Sequence, residues 1–449
     1  MATTANSTET FASDFERVRG RLAGDGSAWL STLRTDAMAA FASAGFPSVR
    51  DEDWKYTNVL PALRERLEPV LPGEVQADAP VLASLLARAA GVGAASTVLV
   101  FVDGCFHAPL SRVAAARGLR LASLRDRLQS DPSRLEPWLG KYLPVGAHAF
   151  AALNQAFLDD GSVVEIADGA IVEEPIHLVY LSSQRAQPFV SHPRNVIVAG
   201  AGSHAQVVEH YVGAPGARYL TNSVSEIALG AGATLGHVRV QDESPAGFHV
   251  ARVQVEQAAG SSFVSHAFGF GAALSRTEIA VKLDGEEAEC NLAGLYAIDG
   301  SRHIDHHLFV DHARPRTRSH QLYKGVLEDS SRGVFTGRVV VRAGSQKIKA
   351  MQSNPSLLLG RGAVAETRPQ LEIYADDVAC NHGATIGRLD EDALFYLLSR
   401  GITPREARRI LVSGFAAEVV EGVASTSLRA ALTELVAARV GELGNGAAS

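Results

Sequence analysis

One of the chain's three cysteines stands two residues before a histidine, in the run Val378-Ala379-Cys380-Asn381-His382-Gly383. Residues i and i+2 of a β-strand share a face, so a strand here would point a thiol and an imidazole the same way. Paired sulfur and nitrogen ligands suit iron, copper(I) or zinc. Two ligands do not close such a site, and the rest must come from elsewhere in the chain or from another subunit. The residue types also leave a plainer alternative open, in which Cys380 is a buried thiol and His382 is satisfied by backbone.

Other candidates are weaker. In the stretch running from His303 to His312, a strand would place His303, Asp305 and His307 on one face, the residue types of a two-histidine, one-carboxylate iron centre. At about 3.3 Å per residue the three span about 13 Å, too far to meet one metal without a bend, so hydrogen bonding between neighbouring strands is expected instead. Asp376 and Asp377 are adjacent and point to opposite faces, the wrong arrangement for an acid/base pair; solvation or a turn hydrogen bond accounts for them. The glycine runs at 200–202, 230–232 and 269–271 lack the Lys-Ser/Thr of a phosphate loop and open no long helix, so no ATP is expected on this chain. Cys105 and Cys290 lie in apolar, strand-like contexts and are expected as buried thiols. No Cys-x-x-Cys occurs to suggest a self-contained zinc or cluster site.

The elements that must position these residues change character along the chain. Residues 1–160 are mostly helical in pattern, with helical spacing over Trp29 to Phe41, Val81 to Leu86 and Ala149 to Leu158 and one clear strand, Thr97 to Val102. Residues 161–388 turn to short strands rich in Val, Ile and His, separated by Gly-Ala turns. The turns that end at Gly202, Gly232 and Gly260 recur at a period near thirty residues, longer than the spacing of a β-sandwich, which is the structural alternative. The expected fold is therefore mainly β, a right-handed parallel β-helix. Residues 389–449 are helical again: Asp390 caps Glu391 to Arg400, Thr403-Pro404-Arg405-Glu406 opens a second helix, and a third runs from about Leu428 to Val440. These helices are expected to cover the open end of the coil, whose free strand edge would otherwise invite aggregation.

Length and charge bound the partners. A chain of 449 residues can bury a large core. A formal charge of −7 argues against a nucleic-acid partner, and the runs Arg314 to Arg318 and Lys347 to Lys349 read as local edges or turns. No run of about 18 apolar residues appears, and the first ten residues are small and polar, so no membrane span and a cytoplasmic protein are expected.

The chain carries an ordered series of motifs: Asp51-Glu52-Asp53-Trp54-Lys55-Tyr56-Thr57-Asn58, Phe150-Ala151-Ala152-Leu153-Asn154, Glu173-Glu174-Pro175-Ile176-His177, Asp311-His312, Ser319 through Leu327, Gly333-Val334-Phe335-Thr336-Gly337, Asn354 through Leu359, Pro369 through Ile373, and lastly Cys380/His382. Over most of its length this series resembles the SufB/SufD family of iron–sulfur cluster assembly proteins. Gly383 follows His382 where SufB-like members carry an acidic residue, so the resemblance is to the SufD side. Ala379 and Asn381 replace the lysine and serine that such motifs often show.

The resemblance implies a parallel β-helix and a non-enzymatic scaffold subunit. It implies that Cys380 and His382 face a SufB-like subunit and hold iron or a nascent cluster shared with it, and that the C-terminal helices bind a SufC-like ATPase. It also leaves room for reduced flavin in the complex and for a homodimer of the isolated chain. The aromatic residues of Asp53-Trp54-Lys55-Tyr56 are most simply packing residues. Two other classes stay open on the residues: a carbohydrate-active β-helix enzyme, which would need clustered carboxylates in a groove, and a stand-alone non-heme iron protein using the His303 to His312 stretch.

Overall fold

The computed structural model describes residues 4–75, 77–143, 146 and 148–443. From Gly161–Ile166 to Val378–Gly387 the chain winds as a flattened β-solenoid with two strands per turn, one in each of two facing sheets. Each strand pairs in parallel with the strand one turn later: His204 stands opposite Thr234, and Thr234 opposite Ser262.

The glycine period marks one corner of this coil. Gly202, Gly232 and Gly260 lie at φ near +65°, where a side chain is strained, and each N–H donates to the carbonyl one turn on: Gly202 to Ala231 at 2.8 Å, Gly232 to Ala259 at 2.9 Å. The same corner continues through Glu287, Arg316 and Lys347, all left-handed without being glycine. The repeat therefore fades from the sequence after Gly260 although the turn persists.

Inside the coil, alternate residues stack into ladders. Ile197, Ile227, Val255, Val281, Val310, Val339 and Leu371 follow one another in register. All but Leu371, on the final turn, are buried. Burying each such side chain contributes about 1.5–3 kcal/mol, and a single turn has no partner for that face until the next is laid down.

The two ends differ. At the N-terminal end, Leu119–Ser123 pairs antiparallel with Gly161–Ile166, and Val98–Val102 lies parallel to Ile176–Ser182, so added strands close the coil. Helices Thr4–Val18, Ala28–Ala44 and Ala149–Ala156 enclose a phenylalanine-rich cluster, including Phe11, Phe41, Phe46 and Phe150, that packs on Val190, Leu220 and Val250 of one sheet. At the C-terminal end the strands Val364–Ile373 and Val378–Gly387 are the last of their sheets, and no further strand covers them among the described residues.

The expectation that the terminal helices cover this end is corrected by the structure. Glu391–Ser399, Pro404–Glu421 and Thr426–Glu442 form, with Asp390, Thr403 and Ser425 accepting backbone N–H bonds as caps. The apolar faces of the last two, including Val412, Ala416, Val419, Leu428 and Leu432, lie instead against the outward columns Val208, Val238, Val240, Phe268, Leu295 and Val326 of the second sheet. Lys324 pins them there, donating to the Phe415 carbonyl at 3.0 Å and pairing with Glu418. The reason is complementarity: an apolar helix stripe needs an apolar surface, whereas an open strand edge offers backbone N–H and C=O groups that only another strand satisfies.

Candidate functional site

Cys380 and His382 sit on that uncovered edge. Their strand registers on Ile348–Leu358, with Cys380 opposite Ala350 and His382 opposite Gln352. Cys380 packs against the interior cluster and is half-buried; His382, on the same face by alternation, is exposed. The pair thus stands at the mouth of the coil rather than inside it.

Beneath each is a column. Under Cys380 lie Ala350, Ser319 and Cys290; under His382 lie Gln352 and Gln321. Burial pushes the Cys380 thiol above its ordinary value, partly offset by a hydrogen bond with the Ala350 backbone. Among the described residues no set of three or more His, Cys, Asp or Glu side chains is placed to hold a metal ion. What the mouth offers is one sulfur and one nitrogen, with free space beyond them. Large apolar side chains stand exposed along its rim: Met351, Ile373, Tyr374 and Ile386 are all 40% exposed or more.

The histidine stretch is put to another use. Asp305 is fully buried and accepts from Arg276, its register partner, at 2.5 Å and from Thr57 at 2.5 Å. His303 bonds Thr57 at 3.0 Å, and His307 lies 3.3 Å from Asp305. Trp54 covers the Arg276 guanidinium at 4.0 Å and stacks on Phe150. The carboxylate is thus committed to a buried cation and to tying the N-terminal region onto the sheet. His306 turns inward between Tyr296 and Tyr323, and burial lowers its pKa to about 4.

The remaining candidates resolve into structure. Asp377 belongs to the last corner of the coil, its carbonyl accepting from the Lys347 N–H at 2.6 Å. Arg314, Arg316 and Arg318 pair with Asp284, Glu287 and Glu289 one turn below, at 3.2, 2.9 and 2.9 Å. Cys105 and Cys290 are buried, and desolvation pushes both thiols up, Cys290 to about 12.

Two features escaped sequence reasoning. Gln352 sits directly under His382, and only strand register could reveal it. The helix Glu391–Ser399 exposes Phe395 by 72% and Tyr396 by 57%, with Leu398 and Ile410 beside them in sequence or on the next helix also exposed. The adjacent aromatic pair was a readable signal: neighbouring positions on a helix point about 100° apart, so a narrow buried stripe turns at least one of two large side chains toward solvent.

Comparison with known proteins places most of the chain in one context. Residues 5–178 match the SufBD protein N-terminal region, and residues 180–415 the SufBD core domain of SUF system FeS cluster assembly. The chain is 30% identical over 400 residues to the iron-sulfur cluster assembly protein SufD of Escherichia coli (strain K12), covering 89% of each. It is 30% identical over 420 residues to an iron-sulfur cluster assembly SufBD family protein of Synechocystis, covering 91% of each. Against the SufD protein of Bacillus subtilis (strain 168) the identity is 26% over 354 residues.

Proposed function

The chain belongs to the SufB/SufD family of iron–sulfur cluster assembly proteins, on its SufD side, and from that premise we propose that it is a non-enzymatic scaffold subunit on which clusters are built in the cytoplasm. Iron or the nascent cluster is its cargo, held through His382 and Cys380 together with ligands from a second subunit. The observation that carries this reading is the position of the pair: a thiol and an imidazole on one face of the last strand, half-buried and exposed respectively, on an edge that no further strand covers among the described residues.

That edge suits a SufB-like subunit. Unpaired backbone groups along Val378–Gly387 are a template for a strand from another chain, and the exposed Met351, Ile373, Tyr374 and Ile386 supply an apolar border for it. The same edge would serve a homodimer of the isolated chain. A SufC-like ATPase docks on the C-terminal helices, where Phe395, Tyr396, Leu398 and Ile410 are exposed. ATP binds to that partner and not to this chain; reduced flavin, if the complex uses it, supplies electrons from elsewhere in the assembly. Among the described residues no helix is long and apolar enough to cross a membrane.

The test is reconstitution of cluster assembly from the complete complex with His382→Ala. The expected result is loss of cluster formation with unchanged melting, because an exposed ring contributes little to stability. Normal assembly rates in that variant would refute the site.

A further inference from the structure

Resting on the reading of His382 as a ligand, we infer that Gln352 is the residue that positions it. The two are register partners on adjacent strands, about 4.8 Å apart across the ladder. Gln352 is 3% exposed and its amide is held from below, donating to Gln321 Oε1 at 2.7 Å. Across the coil, Gly337 leaves the space that this amide fills: a Cβ added there would overlap the Gln352 side chain. The other end of the amide, Oε1, is buried and accepts no hydrogen bond.

A buried carbonyl oxygen without a donor is destabilising, and the strand next above it carries an imidazole. A metal-bound histidine presents one nitrogen to the metal and needs an acceptor for the N–H of the other; that acceptor fixes the tautomer and the ring's orientation. Gln352 Oε1 is such an acceptor, anchored on its far side and placed one strand below. When a partner closes the mouth, the ring N–H of His382 turns down onto Oε1, and the second nitrogen is left unprotonated beside the Cys380 sulfur.

The experiment uses the full-length chain labelled with nitrogen-15 at histidine, in complex with its partner subunit. The His382 ring signals are identified by their loss in His382→Ala. In the unaltered chain one neutral tautomer dominates. Gln352→Met, of matching length without an acceptor, gives a mixture of tautomers and slows cluster assembly by about 10–100-fold; Gln352→Glu, which keeps the acceptor, restores both. Identical tautomer ratios in the unaltered chain and in Gln352→Met overturn the positioning role, whatever His382→Ala does to assembly. A shifted tautomer with unimpaired assembly in His382→Ala would instead uphold the hydrogen bond and refute the ligand.

Discussion

Cys290 and Cys380 occupy one inward-facing column of the same sheet, separated by Ser319 and Ala350, yet Cys290 is 4% exposed beneath further turns and Cys380 lies on the last strand, which no other strand covers among the described residues. Identical residue type and strand face therefore lead to different chemistry. In the folded chain a maleimide should attach at Cys380 alone, since burial pushes the thiols of both Cys290 and Cys105 up and bars access to them. Mass spectrometry of the intact protein should show one adduct, absent from Cys380→Ala. Two or three adducts before unfolding would contradict the buried columns.

The exposed aromatic pair on the helix Glu391–Ser399 makes a separable prediction. Phe395→Ser with Tyr396→Ser should leave thermal stability within about 0.5 kcal/mol, because both side chains are largely in water already. Co-purification of the proposed SufC-like ATPase should fall sharply. Retention of that subunit at full yield would move its docking surface elsewhere.

Asp305→Ala removes the carboxylate on which Arg276, Thr57 and His307 converge. Arg276 is itself fully buried, and Glu278 at 2.7 Å remains its other carboxylate partner. Breaking a buried ion pair costs about 3–5 kcal/mol, and the surviving Glu278 contact favours the lower part of that range. Chemical denaturation should show the loss, with the N-terminal region detaching before the coil because Thr57 loses its carboxylate partner on the sheet.

Several buried histidines predict an acid-sensitive fold. Desolvation lowers His192 to about 3 and His177, His266, His306 and His312 to about 4, from an ordinary value of 6.5. Below pH 6.5 the unfolded chain binds protons that the folded chain refuses, so stability falls as pH drops. The contribution is complete above 6.5 and is lost progressively down to about 4. Melting temperatures recorded across that window should decline steadily; a flat profile would mean these rings are not buried in their neutral form.

Much of the fold was legible because its signals are local. A strand's alternation, a glycine where φ must be positive and a capping side chain each act within a few residues, so the coil between Gly161 and Gly387, its corner period and the three terminal helices could be read in advance. The site was half legible. Spacing on one strand puts Cys380 and His382 on a shared face, and the helix cap at Asp390 marks that strand as the last of the coil; whether the terminal helices then cover it depends on where they pack, which no residue in the motif encodes.

The amino-acid sequence by itself determined the ladders and the pairing of sulfur with imidazole, because periodicity and residue type suffice for both. Tertiary structure alone decided that the terminal helices lie along the second sheet instead of over the open end, since their apolar stripe matches outward columns assembled from strands as distant as Val208 and Val326. That choice leaves the mouth of the coil uncovered. It also sets Gln352 under His382, a neighbourhood created by winding the chain through a full turn and invisible to any reading that proceeds residue by residue.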